Sequence, residues 1–379
     1  MTASSPARFG WLKPSLDWLL VFVPIALAIR YVPAWRNDTA LFIVAALALI
    51  PIAGWMGHAT EQLAHRMGEG IGGLLNASFG NAAELIIALI ALRAGQIEVV
   101  KASITGSIVG NLLLVLGASI VGGGLRYKKQ NFNRTAARAS CTALILAASA
   151  LVIPTVFHFA AAQTPTGWTP AAEQRLSLAI AIVLITTYGA MLLFSLVTHK
   201  QLFVGGEADI AQTKEGASDE HSEPWSIGKA VGILVLATFG VAWISEFLVG
   251  AVEAARHSLG VTEVFVGVII VAIVGNAAEH STAITMALKN KMDLSLGIAV
   301  GSSLQIALFV APVLVFASYL FPHRLNLEFT LPEVAAVVLA AFVTDQIAGD
   351  GESNWLEGVQ LLALYVIIAL LFYYLPATH

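Results

Sequence analysis

The chain has 379 residues, 58% of them hydrophobic and 12% charged, with a net charge of −4 and a mean hydropathy of +0.80. A soluble domain carries about 25% charged residues, so a water-covered surface is excluded, and the lack of a basic stripe argues against a nucleic-acid partner. The charges are clustered, leaving apolar stretches of about 18 to 25 residues, each able to cross a hydrocarbon layer of about 30 Å at roughly 1.5 Å per residue.

The first such stretch, 15–33, follows Arg8 and Lys13. It exceeds the roughly 7–15 apolar residues of a signal peptide and reads as a retained span. Further spans are expected at 39–66, 70–93, 97–123, 132–160 and 172–199. Cys141 lies alone inside the fifth, so no internal disulfide forms. An acidic segment at 200–225 intervenes. Spans then resume at 226–256, 262–288, 292–319, 330–347 and 355–375. The fold class expected is an all-α polytopic membrane protein with 11 transmembrane helices in a 1+5+5 plan. Its parts are 1–33, a first five-helix repeat over 34–199, the linker 200–225 and a second repeat over 226–379. Thirteen of the twenty Lys and Arg, including Arg126, Lys128, Lys129, Arg134 and Arg138, fall on the N-terminal side of this plan. The positive-inside rule therefore predicts a cytoplasmic N-terminus and an outside C-terminus. A compact chain of this kind suits a prokaryotic plasma (inner) membrane, and is compatible with a homo-oligomer.

Gly80-Asn81-Ala82-Ala83-Glu84 recurs as Gly275-Asn276-Ala277-Ala278-Glu279, an offset of 195 that also carries Gly106-Ser107 onto Gly301-Ser302 and Glu98 onto Asp293. The core motifs are thus 70–117 and 262–312. The offset spans five predicted helices, an odd number, so the two copies should enter the membrane from opposite sides. Inverted-topology repeats are a transporter architecture with the substrate site near the midplane.

Glu84 and Glu279 fall near mid-span, where a carboxylate is costly unless paired, hydrated or protonated. Asn81 and Asn276 lie three residues earlier, on the same helix faces. Gly80 and Gly275 permit unwinding that exposes carbonyl oxygens. Ser107, Ser302, Ser303, Gln305 and Asn111 add oxygen donors. Carboxylate, amide, hydroxyl and carbonyl oxygens without a thiolate suit a hard cation such as Ca2+, though Mn2+ and Mg2+ also like oxygen. Two neighbouring carboxylates in low dielectric cannot both stay ionised without a cation, so Ca2+ and H+ compete, which is antiport. Na+ could compete for the same oxygens. His280 either pairs with Glu279 or relays a proton, or is structural.

Glu61, near the cytoplasmic end of the second span, and Glu246, near the outer end of the seventh, read either as vestibule carboxylates that draw cations inward or as ordinary interfacial acids. Glu207, Asp209, Glu215, Asp219, Glu220 and Glu223 face only Lys214 within the linker. They read as a solvated connection or as a weak Ca2+ sensor.

At Gly70–Leu92 with Gly106–Gly117, and at Val274–His280 with Gly301–Phe309, the sequence resembles the calcium/cation antiporter superfamily, specifically its cation/proton exchanger (CAX) branch. The resemblance implies Ca2+/H+ exchange, with Glu84 and Glu279 as ion and proton carriers, assisted by Asn81, Asn276, Ser107 and Ser302. It implies no cofactor beyond the transported Ca2+ and H+. The Na+/Ca2+ branch usually carries Ser/Thr-Pro-Glu where this chain has Asn-Ala-Ala-Glu, and Na+/Ca2+ or broader cation exchange is the alternative. An intramembrane enzyme using Glu279, His280 and a serine is disfavoured because a unique catalytic cluster needs no second copy. A channel needs no inverted repeat.

Overall fold

The computed structural model describes residues 15–67, 69–162, 169–199 and 225–376; the six linker acids lie outside the described residues. In chain order, a 3-10 turn leads into α1 (Phe22–Tyr31), followed by α2 (Asp38–Met67), α3 (Glu69–Phe79), α4 (Ala82–Arg93) and α5 (Ile97–Val109). A π-helical turn, Gly110–Val115, joins α5 to α6 (Leu116–Arg126), after which come α7 (Arg134–Ala162) and α8 (Pro170–Leu193). The second half holds α9 (Ile227–Leu259), α10 (Glu263–Phe265), the π-helical turn Val266–Val271 and α11 (Ala272–Leu288). It continues with α12 (Met292–Gln305), the π-helical turn Ile306–Val310, α13 (Ala311–Ser318), α14 (Leu331–Ala348) and α15 (Trp355–Tyr374). Two short strands, β1 (Gln130–Asn131) and β2 (Glu352–Ser353), pair antiparallel between loops.

Nine helical stretches among the described residues are long and apolar enough to cross a membrane. The first expected span is short of that length, with a 10-residue α1 preceded by a 6-residue 3-10 segment. The third, expected as one helix over 70–93, is broken at Gly80 and Asn81. The break is local chemistry. Gly80 N–H closes the last α3 turn on the Asn76 carbonyl, and glycine gains least from continuing a helix. Asn81 then sits at φ −100°, ψ 27° with its side chain turned to another helix instead of capping α4.

Lipid-exposed apolar residues such as Val183, Leu236, Phe239 and Ile367 cover the periphery, as expected where hydrocarbon is the solvent. Two stretches are far more enclosed than the rest. Their most apolar windows are 83% buried for Ile97–Arg126 and 72% for Met292–Ser318, against 22% for Pro170–Thr198. These two central rods carry equivalent segments of the duplicated motif, and each contains a π-helical turn at the equivalent place. One apolar core gathers around them, with Leu112, Leu116, Leu304 and Leu308. A second joins α1, α2 and α9 through Phe42, Leu49, Met56, Ile244 and Leu248. The duplicated Asn and Glu side chains sit where helices from both cores meet.

Candidate cation site

The break before α4 frees Asn81 to reach the central rod of the other half. Ser302 Oγ donates to Asn81 Oδ1 at 2.9 Å, and Asn81 Nδ2 donates to Gln305 Oε1. The equivalent residues make the crossed counterpart. Asn276 Nδ2 donates to Ser107 Oγ at 2.9 Å and to the Ala272 carbonyl at 2.9 Å, while Asn111 Nδ2 donates to Asn276 Oδ1 at 3.2 Å. Each motif's asparagine is therefore held by the other motif's serine. Ser303 is spent differently. Its Oγ bonds the Ala299 carbonyl at 2.9 Å and reaches the Ile108 carbonyl at 3.4 Å. Ile108 and Ser303 are separated by 195 residues, the repeat offset itself, so here equivalent positions of the two halves meet each other.

Gly275 does not unwind its helix, contrary to the expectation, since α11 runs unbroken through it. Its role is spatial. A Cβ at Gly275 would stand 3.1 Å from Glu84 Cγ, so the missing side chain seats the carboxylate of the first motif against the helix of the second. Glu84 Oε2 is buried with no hydrogen-bond partner among the described residues. Glu84 also lies within Coulombic reach of Glu279. Ser103 and Ser107 line a small cavity beside it, with apolar Ala88, Ile104, Ile306 and Val310. His280 is half-buried, and its side chain makes no hydrogen bond or ion pair among the described residues.

No group of three or more His, Cys, Asp or Glu able to hold a metal is present among the described residues. A cation between Glu84 and Glu279 would thus complete its shell from amide, hydroxyl and backbone oxygens, as hard cations accept. Asn81 and Asn276 oxygens each take one hydrogen bond and keep a second lone pair. Asn276 is fully buried. Asn276→Ala should strand Asn111 Nδ2 in an apolar surround, costing about 1–3 kcal/mol, read as a lower thermal midpoint in detergent. An unchanged midpoint would mean that the crossed bonds carry no structural weight.

The two vestibule candidates part company. Glu61 is largely enclosed, with Oε2 3.9 Å from His58 Nδ1. Glu246 is half exposed and ion-paired with Arg93 at 2.6 Å, so its charge is already matched by a neighbour 153 residues away in sequence. An exposed pair of this kind contributes about 0–1 kcal/mol. Glu246→Gln should therefore change Ca2+ flux by less than about fivefold, and a complete loss would restore it to the ion path.

Lys101, in the fourth expected span, carries a charge into the protein interior. It lies 3.5 Å from Glu328 Oε2 and 4.0 Å from Glu98 Oε1, and next to it Thr105 Oγ1 donates to the buried Glu333 at 3.4 Å. The Thr330-x-x-Glu333 capping box was legible as a helix start; its burial against α5 was not, because that needs the tertiary neighbours.

A family model described as sodium/calcium exchanger protein matches residues 38–197 and 229–374. The Ca(2+)/H(+) antiporter of Synechocystis sp. is 47% identical over 366 residues, covering 94% of this chain and 96% of that one. The Ca(2+)/H(+) antiporter ChaA of Bacillus subtilis is 50% identical over 339 residues, covering 89% and 93%. The solved structure of native YfkE superposes with a TM-score of 0.80 at 44% identity, covering 95% of this chain and 100% of that one.

Proposed function

The chain belongs to the sodium/calcium exchanger protein family, and from that premise we propose that it exchanges Ca2+ for H+ as a secondary antiporter, the activity named for its Synechocystis and Bacillus relatives. It is a membrane transporter, not an enzyme, and Ca2+ and H+ are its cargo. The observation that carries this reading is the crossed pairing of Asn81 with Ser302 and Asn276 with Ser107. Each half completes the other's polar cluster around one pair of glutamates.

In this reading Glu84 and Glu279 hold either Ca2+ or protons. Their mutual repulsion in a low-dielectric site disfavours the doubly ionised, empty state. Ca2+ supplies the missing positive charge, and protonation removes the need for it. Because the two occupancies exclude each other, inward movement of one ion is coupled to outward movement of the other once access alternates. Eleven spans in a 1+5+5 plan, with inverted five-helix halves at 34–199 and 226–379, provide that alternation. The contact between equivalent positions 108 and 303 supports a pseudo-twofold relation. Charge asymmetry supports a cytoplasmic N-terminus, in the plasma membrane of a bacterial cell.

The test is Ca2+ uptake into inverted vesicles driven by an imposed pH gradient with Na+ absent. Uptake that collapses when the pH gradient is dissipated is the expected result. Uptake that requires Na+ and ignores the pH gradient would replace this reading with Na+/Ca2+ exchange.

A further inference from the structure

At the end of the molecule where α6 stops, two separate loops are fastened into one surface. Gln130, buried in β1, donates Nε2 to the Ala287 carbonyl at 2.8 Å and to Asn290 Oδ1 at 3.1 Å. Arg126 Nη1 and Tyr127 OH both reach the Leu288 carbonyl, at 3.4 and 3.5 Å. The 126–133 connection and the 288–291 turn are thereby held as a single unit, which fixes the relative positions of their cations.

Some of those cations are committed. Lys129 pairs with Glu352, and the Arg126 guanidinium lies over the Tyr127 ring, 5.7 Å from its centroid. Lys128, Arg134, Arg138 and Lys291 are exposed and have no ion-pair partner among the described residues. The acids at this end accept hydrogen bonds from neutral N–H groups and make no ion pair with these four cations among the described residues. Asp293 accepts the Asn133 N–H at 2.5 Å, Asp350 accepts the Glu352 N–H at 3.0 Å, and Asp345 accepts from Gln346 at 3.5 Å. Arg134 also opens α7, whose first turn holds no acidic residue, although a helix N-terminus favours an anion over a cation. Beside these four cations stand exposed apolar side chains. Leu125 is 77% exposed, and Leu288, also exposed, packs over the backbone at Gly122.

We propose that this surface binds an anionic phospholipid, its phosphate held by Lys128, Arg134, Arg138 and Lys291 and its acyl chain laid on Leu125 and Leu288. Charge and apolar surface side by side match the two ends of a lipid, whereas free phosphate would leave Leu125 uncovered. Clusters of Lys and Arg at a membrane face attract anionic headgroups in this way. The inference is independent of which ions are transported.

The test uses the full chain in neutral detergent with equimolar phosphatidylglycerol and phosphatidylcholine of matched acyl chains, read by native mass spectrometry and by thermal midpoint. Phosphatidylglycerol should be retained preferentially and raise the midpoint; phosphatidylcholine and inorganic phosphate should not. R134Q and K291Q should each lose about fivefold of that preference, the equivalent of roughly 1 kcal/mol per cation near a membrane surface. Because K291Q lies outside the Arg126–Arg138 cluster, it tests the same surface even if changes within the cluster disturb insertion. Equal retention of the two lipids, an equal midpoint rise with inorganic phosphate, or an unchanged preference in K291Q overturns the proposal.

Discussion

Glu84→Gln and Glu279→Gln should each reduce proton-driven Ca2+ uptake by at least about 100-fold, roughly 3 kcal/mol of lost binding and coupling. Glutamine keeps the shape of the side chain, so at position 84 the packing against Gly275, where Cγ stands 3.1 Å from the space of a missing Cβ, is preserved. What disappears is one negative charge and one titratable oxygen. A dication near the bilayer midplane is then met by a single carboxylate, and the proton loses one of its two carriers. The folded protein should not suffer. Glu84 Oε2 is buried without a hydrogen-bond partner among the described residues, and an uncompensated buried carboxylate destabilises the fold. The thermal midpoint of Glu84→Gln should therefore equal or exceed that of the wild type. Uptake within a few-fold of wild type in either variant, measured in inverted vesicles, would remove these residues from the centre of the mechanism.

Gly106 and Gly301 occupy equivalent positions of the repeat, yet alanine at each should have opposite effects on stability. A Cβ at Gly106 would lie 2.1 Å from the Val268 carbonyl oxygen and 2.5 Å from its Cα, both backbone atoms of the π-helical turn Val266–Val271. Backbone cannot swing aside like the end of a side chain, so the central rod and this turn must separate. Overpacking of this kind costs about 1–3 kcal/mol, and Gly106→Val should cost more and abolish transport. At Gly301 nothing lies within 4 Å of the added atom. Gly301→Ala should keep or raise the thermal midpoint, since alanine favours a helix over glycine by roughly 0.5–1 kcal/mol. If alternating access exchanges the two environments, the same variant should slow transport while leaving the midpoint intact. Equal loss of stability in both variants would show that the two halves are packed alike.

Much of this protein follows from its sequence alone, because the relevant physics is local. Apolar stretches of membrane-spanning length and a charged fraction too small for a water-facing surface determined a multi-helix membrane protein. The pentapeptide written twice at an offset of 195 marked the candidate residues for chemistry, since Asn and Glu are costly in hydrocarbon unless they have work there. The oxygen-only donor set pointed to a hard cation, with Mn2+, Mg2+ and Na+ left as competitors of Ca2+. Tertiary structure decided everything that depends on what faces what. Two identical pentapeptides fold differently, broken at Gly80 and continuous through Gly275, because one glycine ends a helix and the other makes room for a carboxylate from across the interface. Lys101 is buried beside Glu328, and Glu246, which reads from sequence either as a vestibule carboxylate or as an ordinary interfacial acid, is ion-paired with Arg93. Identity of sequence specifies equal propensities; which copy is packed and which is open is set by non-local contacts that no local pattern encodes.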